Sequence, residues 1–249
     1  MSSAMNRTVD VLGFDTLKIS QQQLGVELRQ STGLALRRTG ALTALAWLAA
    51  RRCLAQAPTP KSPENPATDR PATLLLWHSA LLVAEENAPL LQTLWFDHEG
   101  VMPFQFLSTQ PALVGLALRA HMPELVDAQY LPWPDEQGAL IWPRCLQLAA
   151  HALASGRAAH VLCMHLEAAS DGLQAQSLLL GATGTADNPP QIHIQPTSHA
   201  PRGKQPCEAN QVYAALQAGA QQPWANPDQA LTPQAESLAH LGLSIKSAL

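Results

Sequence analysis

The amino-acid sequence predicts an α/β layered domain built on a mostly parallel sheet. One pattern leads there, and two bulk numbers bound it. Short apolar runs that read as buried strands alternate along the chain with longer helix-patterned segments. Apolar residues make up 47% of the sequence and charged residues only 14%, well under the roughly 25% usual for soluble proteins. The 249 residues are enough for one large core or two small ones.

In chain order, Val9 to Ile19 (VDVLGFDTLKI) reads as a first strand and turn. Leu36 to Gln56 reads as an Ala/Leu-rich buried helix with arginines at its ends. Its paired arginines and apolar run resemble an export signal, but the run from Gly40 to Ala50 is far short of the ~20 apolar residues a membrane span needs. Arg51 and Arg52 also interrupt it before any cleavage point. Residues 57–71 hold five of the twenty prolines and predict an exposed, extended loop. Thr73 to Ala80 (TLLLWHSA) is a continuous apolar run, the mark of a strand covered on both faces. Helices are expected around Glu85–Phe96 and Ser108–His121, with a strand over Val126–Leu131 and another helix over Gly138–Ser155. Ala159–Ala168 and Gln174–Ala182 read as strands joined by the turn Ser170-Asp171-Gly172, and Gln191–Gln195 as a short edge strand. A domain over residues 1–196 is followed by a polar, Pro-rich tail over 197–249, with helices near Glu208–Gln221 and Pro233–Leu243.

Several function classes fall away. The net charge is −4, and Lys and Arg form no stripe interleaved with aromatics, so no nucleic-acid partner is expected. Cys53, Cys145, Cys163 and Cys207 are widely spaced, which fits reduced thiols in a cytosol rather than a disulfide framework or zinc site. His160 and His165 lie five apart on one strand and point to opposite faces, so they cannot share an ion. No metal site and no cofactor are expected. His78 reads as a hydrogen-bonded core histidine at the end of its strand. Cys163 sits mid-strand as an inert small hydrophobe. Cys145 lies too far into its helix for the terminal N–H groups to act on the sulfur. No G-x-S-x-G elbow, P-loop or G-x-G-x-x-G is present. So few charges predict that part of the surface is covered, by a partner subunit or by the tail.

The stretch PDEQGALIWPRCLQLAAHALASG (134–156) sets an acidic turn ahead of an apolar helix, where many enzymes place a nucleophile against the terminal N–H groups. Here the turn offers Asp135, Glu136 and Gln137. Pro143 would break a turn of a helix that started at Gly138, so the regular helix is expected to open with Pro143 at its first position.

The segments LRRTGALTALA, TLLLWHSA, MPFQFLSTQPA, GALIWPRCLQLAAHALASGRAAHVLCMHLEA and QAQSLLL, spread over residues 34–184, together resemble the N-terminal half of a β-ketoacyl synthase, a thiolase-like fold. The resemblance implies a mixed, mostly parallel sheet of about five strands with helices on both faces. It places the family's nucleophilic Cys near Gln137, flanked by Glu136 and Gly138. Chain-length-factor subunits also have Gln there, and a carboxamide cannot be acylated as a thiolate can. The family's second half, with its catalytic His pair, has no counterpart. Gly156 matches the Gly that ends the nucleophile helix, and Glu167 the acidic residue of the following strand. Met102 and Pro103 precede a Phe and a polar pair that open a helix at the subunit interface, which makes Pro103, Phe104, Phe106 and Gln110 tunnel or interface candidates.

The short chain-length-factor subunits of bacterial aryl polyene (xanthomonadin-type) pigment clusters show the same outline. The resemblance therefore implies a cytoplasmic, non-catalytic subunit with no membrane span. It would form a heterodimer with an active β-ketoacyl synthase and meet acyl carrier protein indirectly. Two other readings stand beside it: a free-standing thiol acyltransferase or thioesterase using Cys145, and a degenerate structural protein without a synthase partner.

Overall fold

The computed structural model describes residues 7–33, 40–57, 71–79, 87–88, 90–97, 110–132, 141–169, 172–184, 189, 191–194 and 243–246. Seven strands are present among them: β1 (Arg7–Ile19), β2 (Thr73–His78), β3 (Leu125–Tyr130), β4 (His160–Ala169), β5 (Gly172–Ala182), β6 (Gln191–Ile194) and β7 (Leu243–Lys246). They form one sheet in the order β3-β2-β4-β5-β1-β6-β7. The sheet is mixed. β2 and β3 are parallel, while β6 runs antiparallel to both β1 and β7. Neighbours β4 and β5 are separated by two residues, too few for a parallel crossover, so they too are antiparallel. The α/β class holds, β6 is the expected short strand, and β7 is the described strand that the sequence did not predict.

The chain forms two compact units, one of Gly13–Trp133 with Leu162–Leu179 and one of Met1–Leu12, Pro134–Val161 and Leu180–Leu249. In the first, helix α1 (Gln21–Thr32) was not foreseen. Its start is a capping box: Ser20 Oγ accepts from the Gln23 N–H at 3.2 Å, and Gln23 Oε1 accepts from the Ser20 N–H at 3.2 Å. Its end is Gly33, at φ 74°, whose N–H donates to the Arg29 carbonyl at 2.8 Å. Only Leu24 and Leu28 of α1 are buried, one turn apart on one face.

Helix α2 (Ala41–Leu54) is the expected apolar helix, buried through Leu42, Ala44–Ala50 and Cys53. Its C-terminal arginines reach outward. The Arg51 guanidinium lies 5.2 Å from the Trp47 ring centroid, and Arg52 Nε lies 2.9 Å from Asp15 Oδ2. Residues 36–39 of the predicted span lie outside the described residues. Strand β2 is buried at every position, as its unbroken apolar run predicts. Helix α3 (Pro111–His121) opens with proline at its first position and packs on β3. The packing is close enough that a Cβ on Gly115 would sit 2.5 Å from the Ala128 Cβ. Residues 87–88 and 90–92 are helical, and a π-helical turn follows over Thr93–Asp97.

In the second unit, helix α4 (Ile141–Ala154) opens two residues ahead of Pro143. Pro143 is therefore not its first residue, as expected, but it still lies in the first turn, where a missing N–H removes no intrahelical bond. The helix ends at Gly156, φ 69°, with the Arg157 N–H donating to the Ala152 carbonyl at 3.0 Å. Leu146, Ala149, Ala150 and Leu153 line its buried face. The predicted helices over 208–221 and 233–242 lie outside the described residues. Leu243, expected to end the second of them, instead begins strand β7.

Candidate functional site

Most residues singled out by the sequence for a nucleophile-like turn or a tunnel lie outside the described residues: Glu136, Gln137, Gly138, Pro103, Phe104 and Phe106. Gln110 is described. It stands at the N-cap of α3 with an extended backbone, φ −87° and ψ 115°, and is half-buried. Cys145 is on α4 and only 3% exposed, which denies a substrate carbonyl the approach that a thiol enzyme needs. Cys53 is fully buried. Burial pushes its thiol well above the ordinary range; Asp15 adds to the rise, and a backbone hydrogen bond from Leu179 opposes it. A nucleophilic thiolate is therefore not available at Cys53.

What the structure does bring together is a polar cluster where the parallel strands β2 and β3 end. In open α/β sheets such carboxyl ends are where ligands meet the sheet. His78, the last residue of β2, is 2% exposed. Its Nδ1 donates to the Leu131 carbonyl at 2.7 Å, so the sequence reading of a hydrogen-bonded core histidine is right. The His78 ring lies between two others. The His165 ring of β4 stacks at 5.5 Å between centroids and 12° between planes, and the Tyr130 ring of β3 lies at 6.4 Å and 4°. Tyr130 also meets Trp77 at 4.7 Å and 47° and donates its hydroxyl to the Ser79 carbonyl at 2.9 Å. Burial raises the Tyr130 phenol above its usual range, which keeps that hydroxyl a donor.

His165 and Glu167 are two apart on β4 and so share a face. The Glu167 carboxylate accepts from His165 Nε2 at 2.6 Å. This hydrogen bond holds the Glu167 carboxyl below the usual carboxylate range. Partial burial opposes the shift, and charge on His165 and His78 reinforces it. The bond fixes Nε2 as the donor toward Glu167 and orients the His165 ring. His165 Nδ1 and the Ser79 hydroxyl are both buried and find no hydrogen-bond partner among the described residues. The cluster is thus an imidazole oriented by a carboxylate and packed against a second imidazole. No group of three His, Cys, Asp or Glu suited to a metal occurs among the described residues. Sequence reasoning missed this cluster. The alternation His165-x-Glu167 was visible, but its approach to His78 depends on β2 lying beside β4, which no local pattern reports.

The same unit exposes apolar side chains: Trp95 at 68% and Phe96 at 70% on the π-helical turn, with Leu91 and Leu94 beside them, Leu116 on α3 and Val126 on β3. Strand β3 is the first strand of the sheet order, with one side unpaired by any described strand. Among the described residues no helix is long and apolar enough to cross a membrane.

No protein-family model matches the chain, and no curated protein matches it. Among solved structures it is similar to the ishigamide ketosynthase/chain length factor, with a TM-score of 0.50 and 14% identity over 75% of this chain and 65% of that one. The chain therefore spans less than two thirds of that protein. It is equally similar to the ketosynthase (ApeO) in complex with its chain length factor (ApeC) from Xenorhabdus doucetiae, with a TM-score of 0.50 and 14% identity over 74% of this chain and 82% of that one. These likenesses show the fold alone, a thiolase-like α/β arrangement.

Proposed function

We propose that this chain is a non-catalytic, chain-length-factor-like subunit that pairs with an active β-ketoacyl synthase in polyketide or fatty-acid-type biosynthesis. Aryl polyene pigment formation in the cytoplasm is the favoured setting. The observation that carries the reading is a β3 edge that no described strand covers, beside exposed Leu116 and Val126, on a fold like that of ketosynthase and chain-length-factor complexes. An unpaired edge strand is an aggregation hazard that a partner strand removes, and apolar patches of this kind mark protein contacts. Burial of Cys145 counts against the alternative of a free-standing thiol acyltransferase. In this reading Gln137 stands where a synthase carries its Cys, and Pro103, Phe104, Phe106 and Gln110 face the partner's tunnel or boundary. Acyl carrier protein then meets the pair through the synthase.

The test is co-expression with a full-length ketosynthase from the same source, followed by pull-down through a tag on this chain. Stoichiometric recovery of the synthase is expected. Val126→Lys, which places a charge on the edge strand, should cut recovery at least about tenfold, an interface loss of about 1.4 kcal/mol or more. The variant should keep the circular dichroism of the parent. Recovery of no synthase, or recovery that Val126→Lys leaves unchanged, sinks the reading.

A further inference from the structure

Helix α3 has the composition of a covered helix and the exposure of a surface one. From Pro111 to Leu118 it carries no polar side chain, and a helix that is apolar all round is normally buried all round. One side of α3 is. Val114, Gly115 and Leu118 are buried, and the helix packs on β3 and α2. The side turned away from them is open. Ala112, Leu116 and Ala120 follow one another at four-residue spacing, on one stripe. All three are exposed, Leu116 at 61%. Arg119 extends the stripe; it too is exposed and makes no ion pair among the described residues.

The stripe has the relief of a helix seat. Ala112 and Ala120 leave a hollow on either side of Leu116, so a second helix can approach to the 8–10 Å or so of ordinary helix packing. The seat is also rigid. Gly115 leaves no room for a Cβ against Ala128, so α3 and β3 hold together as one surface. That surface indicates the size of its occupant. α3 is about 16 Å long, whereas a stable interface takes about 800 Å² from each side. A loose segment of chain could cover the seat alone. A folded subunit that pairs along the β3 edge meets both.

We propose that the Ala112–Leu116–Ala120 stripe seats one helix of the synthase partner, with small or apolar side chains around Leu116 and a carboxylate against Arg119. The seat presupposes the synthase pairing proposed above and adds a second layer to it. The partner's strand answers β3, and its helix answers α3. Arg119 gives this layer its charge preference: a guanidinium at the end of an apolar stripe favours an acidic side chain and disfavours a basic one.

The experiment uses the co-expressed pair, with Cys207→Ser in this chain so that its remaining native thiols, Cys53, Cys145 and Cys163, are all buried. Ala112→Cys at the end of the stripe and Gln129→Cys on β3, both at exposed positions, each carry a benzophenone maleimide. After irradiation, cross-linked peptides are identified by mass spectrometry. Both labels should join the synthase, the one at Ala112→Cys through a helix. Leu116→Asp should cut recovery of the synthase at least about tenfold while keeping the circular dichroism of the parent. Arg119→Glu should cut recovery about fivefold in about 0.05 M salt and much less in about 0.5 M salt, as for an exposed ion pair. If Gln129→Cys joins the synthase while Ala112→Cys joins only this chain, the seat is overturned and the pairing stands. Full recovery with Leu116→Asp also overturns the seat, and full recovery with Arg119→Glu at low salt overturns the carboxylate. If no synthase co-purifies with the parent, the pairing fails and the seat fails with it.

Discussion

Among single residues, Glu167 offers the sharpest test. Glu167→Gln keeps the shape but removes the charge that receives the His165 proton. A hydrogen bond to a charged group contributes about 1.5–3 kcal/mol when buried. The Glu167 side chain is 44% exposed, so screening reduces this to about 1 kcal/mol. The variant should therefore unfold at slightly lower urea, about 1 kcal/mol by linear extrapolation. Its pH profile should change too. The Glu167 carboxyl is held below its ordinary range in the folded chain, so its stabilisation is complete above the unfolded value near 4.3 and is lost as pH falls through the lower folded one. Glu167→Gln should flatten the stability curve in that acid window. His160 behaves differently. Burial pushes its imidazole down, so stability is full above the unfolded value near 6.5 and falls as pH drops below it. His160→Gln should remove that part of the slope below about pH 6.5, measured by chemical denaturation at each pH.

At the level of elements, α3 and β3 meet through Gly115 and Ala128. A Gly→Ala change inside a helix normally gains about 1 kcal/mol. Here the new Cβ would lie 2.5 Å from the Ala128 Cβ, and overpacking of that kind costs about 1–3 kcal/mol. Gly115→Ala should therefore destabilise the fold, and Ala128→Gly in the same chain should restore most of the loss. A double-mutant cycle in urea reads the coupling directly; additive effects would refute the contact.

The elements also differ in how well the sequence announced them. β2 and α2 were plain because burial on nearly every side leaves an unbroken apolar run. α1 escaped because only Leu24 and Leu28 face the core. Its signal lay in Ser20-x-x-Gln23 and Gly33, residues that cap a helix without making it apolar. β7 escaped because a four-residue strand is fixed by its partner β6 rather than by its own composition. The site was legible only in part. His78 showed as a core histidine, but the sequence gives no distance between His78 and His165, and the two meet only through the sheet order.

For the whole molecule, the low charge content of the sequence finds a physical counterpart. The unit that carries β3 exposes Trp95, Phe96, Leu116 and Val126, side chains that a partner surface would cover. Expressed alone, the chain should therefore associate nonspecifically as concentration rises, and co-expression with the proposed synthase partner should raise the soluble yield. Light scattering on both preparations distinguishes the two states. Equal monodispersity with and without the synthase would argue that no such partner is needed.

The placement of β1 carries a consequence for how the chain is made. β1 is made well before its sheet neighbours β5 and β6. Its hydrogen bond from Thr8 to His193 spans 185 residues. At about 5–20 residues per second of translation, some 10–40 s pass before that partner is built. During this interval Val9, Val11 and Leu12, all buried in the finished fold, have no sheet to enter. Biogenesis is therefore the stage at which this protein most needs shielding, and slow elongation between β1 and β5 should cost it more yield than slow elongation after β6.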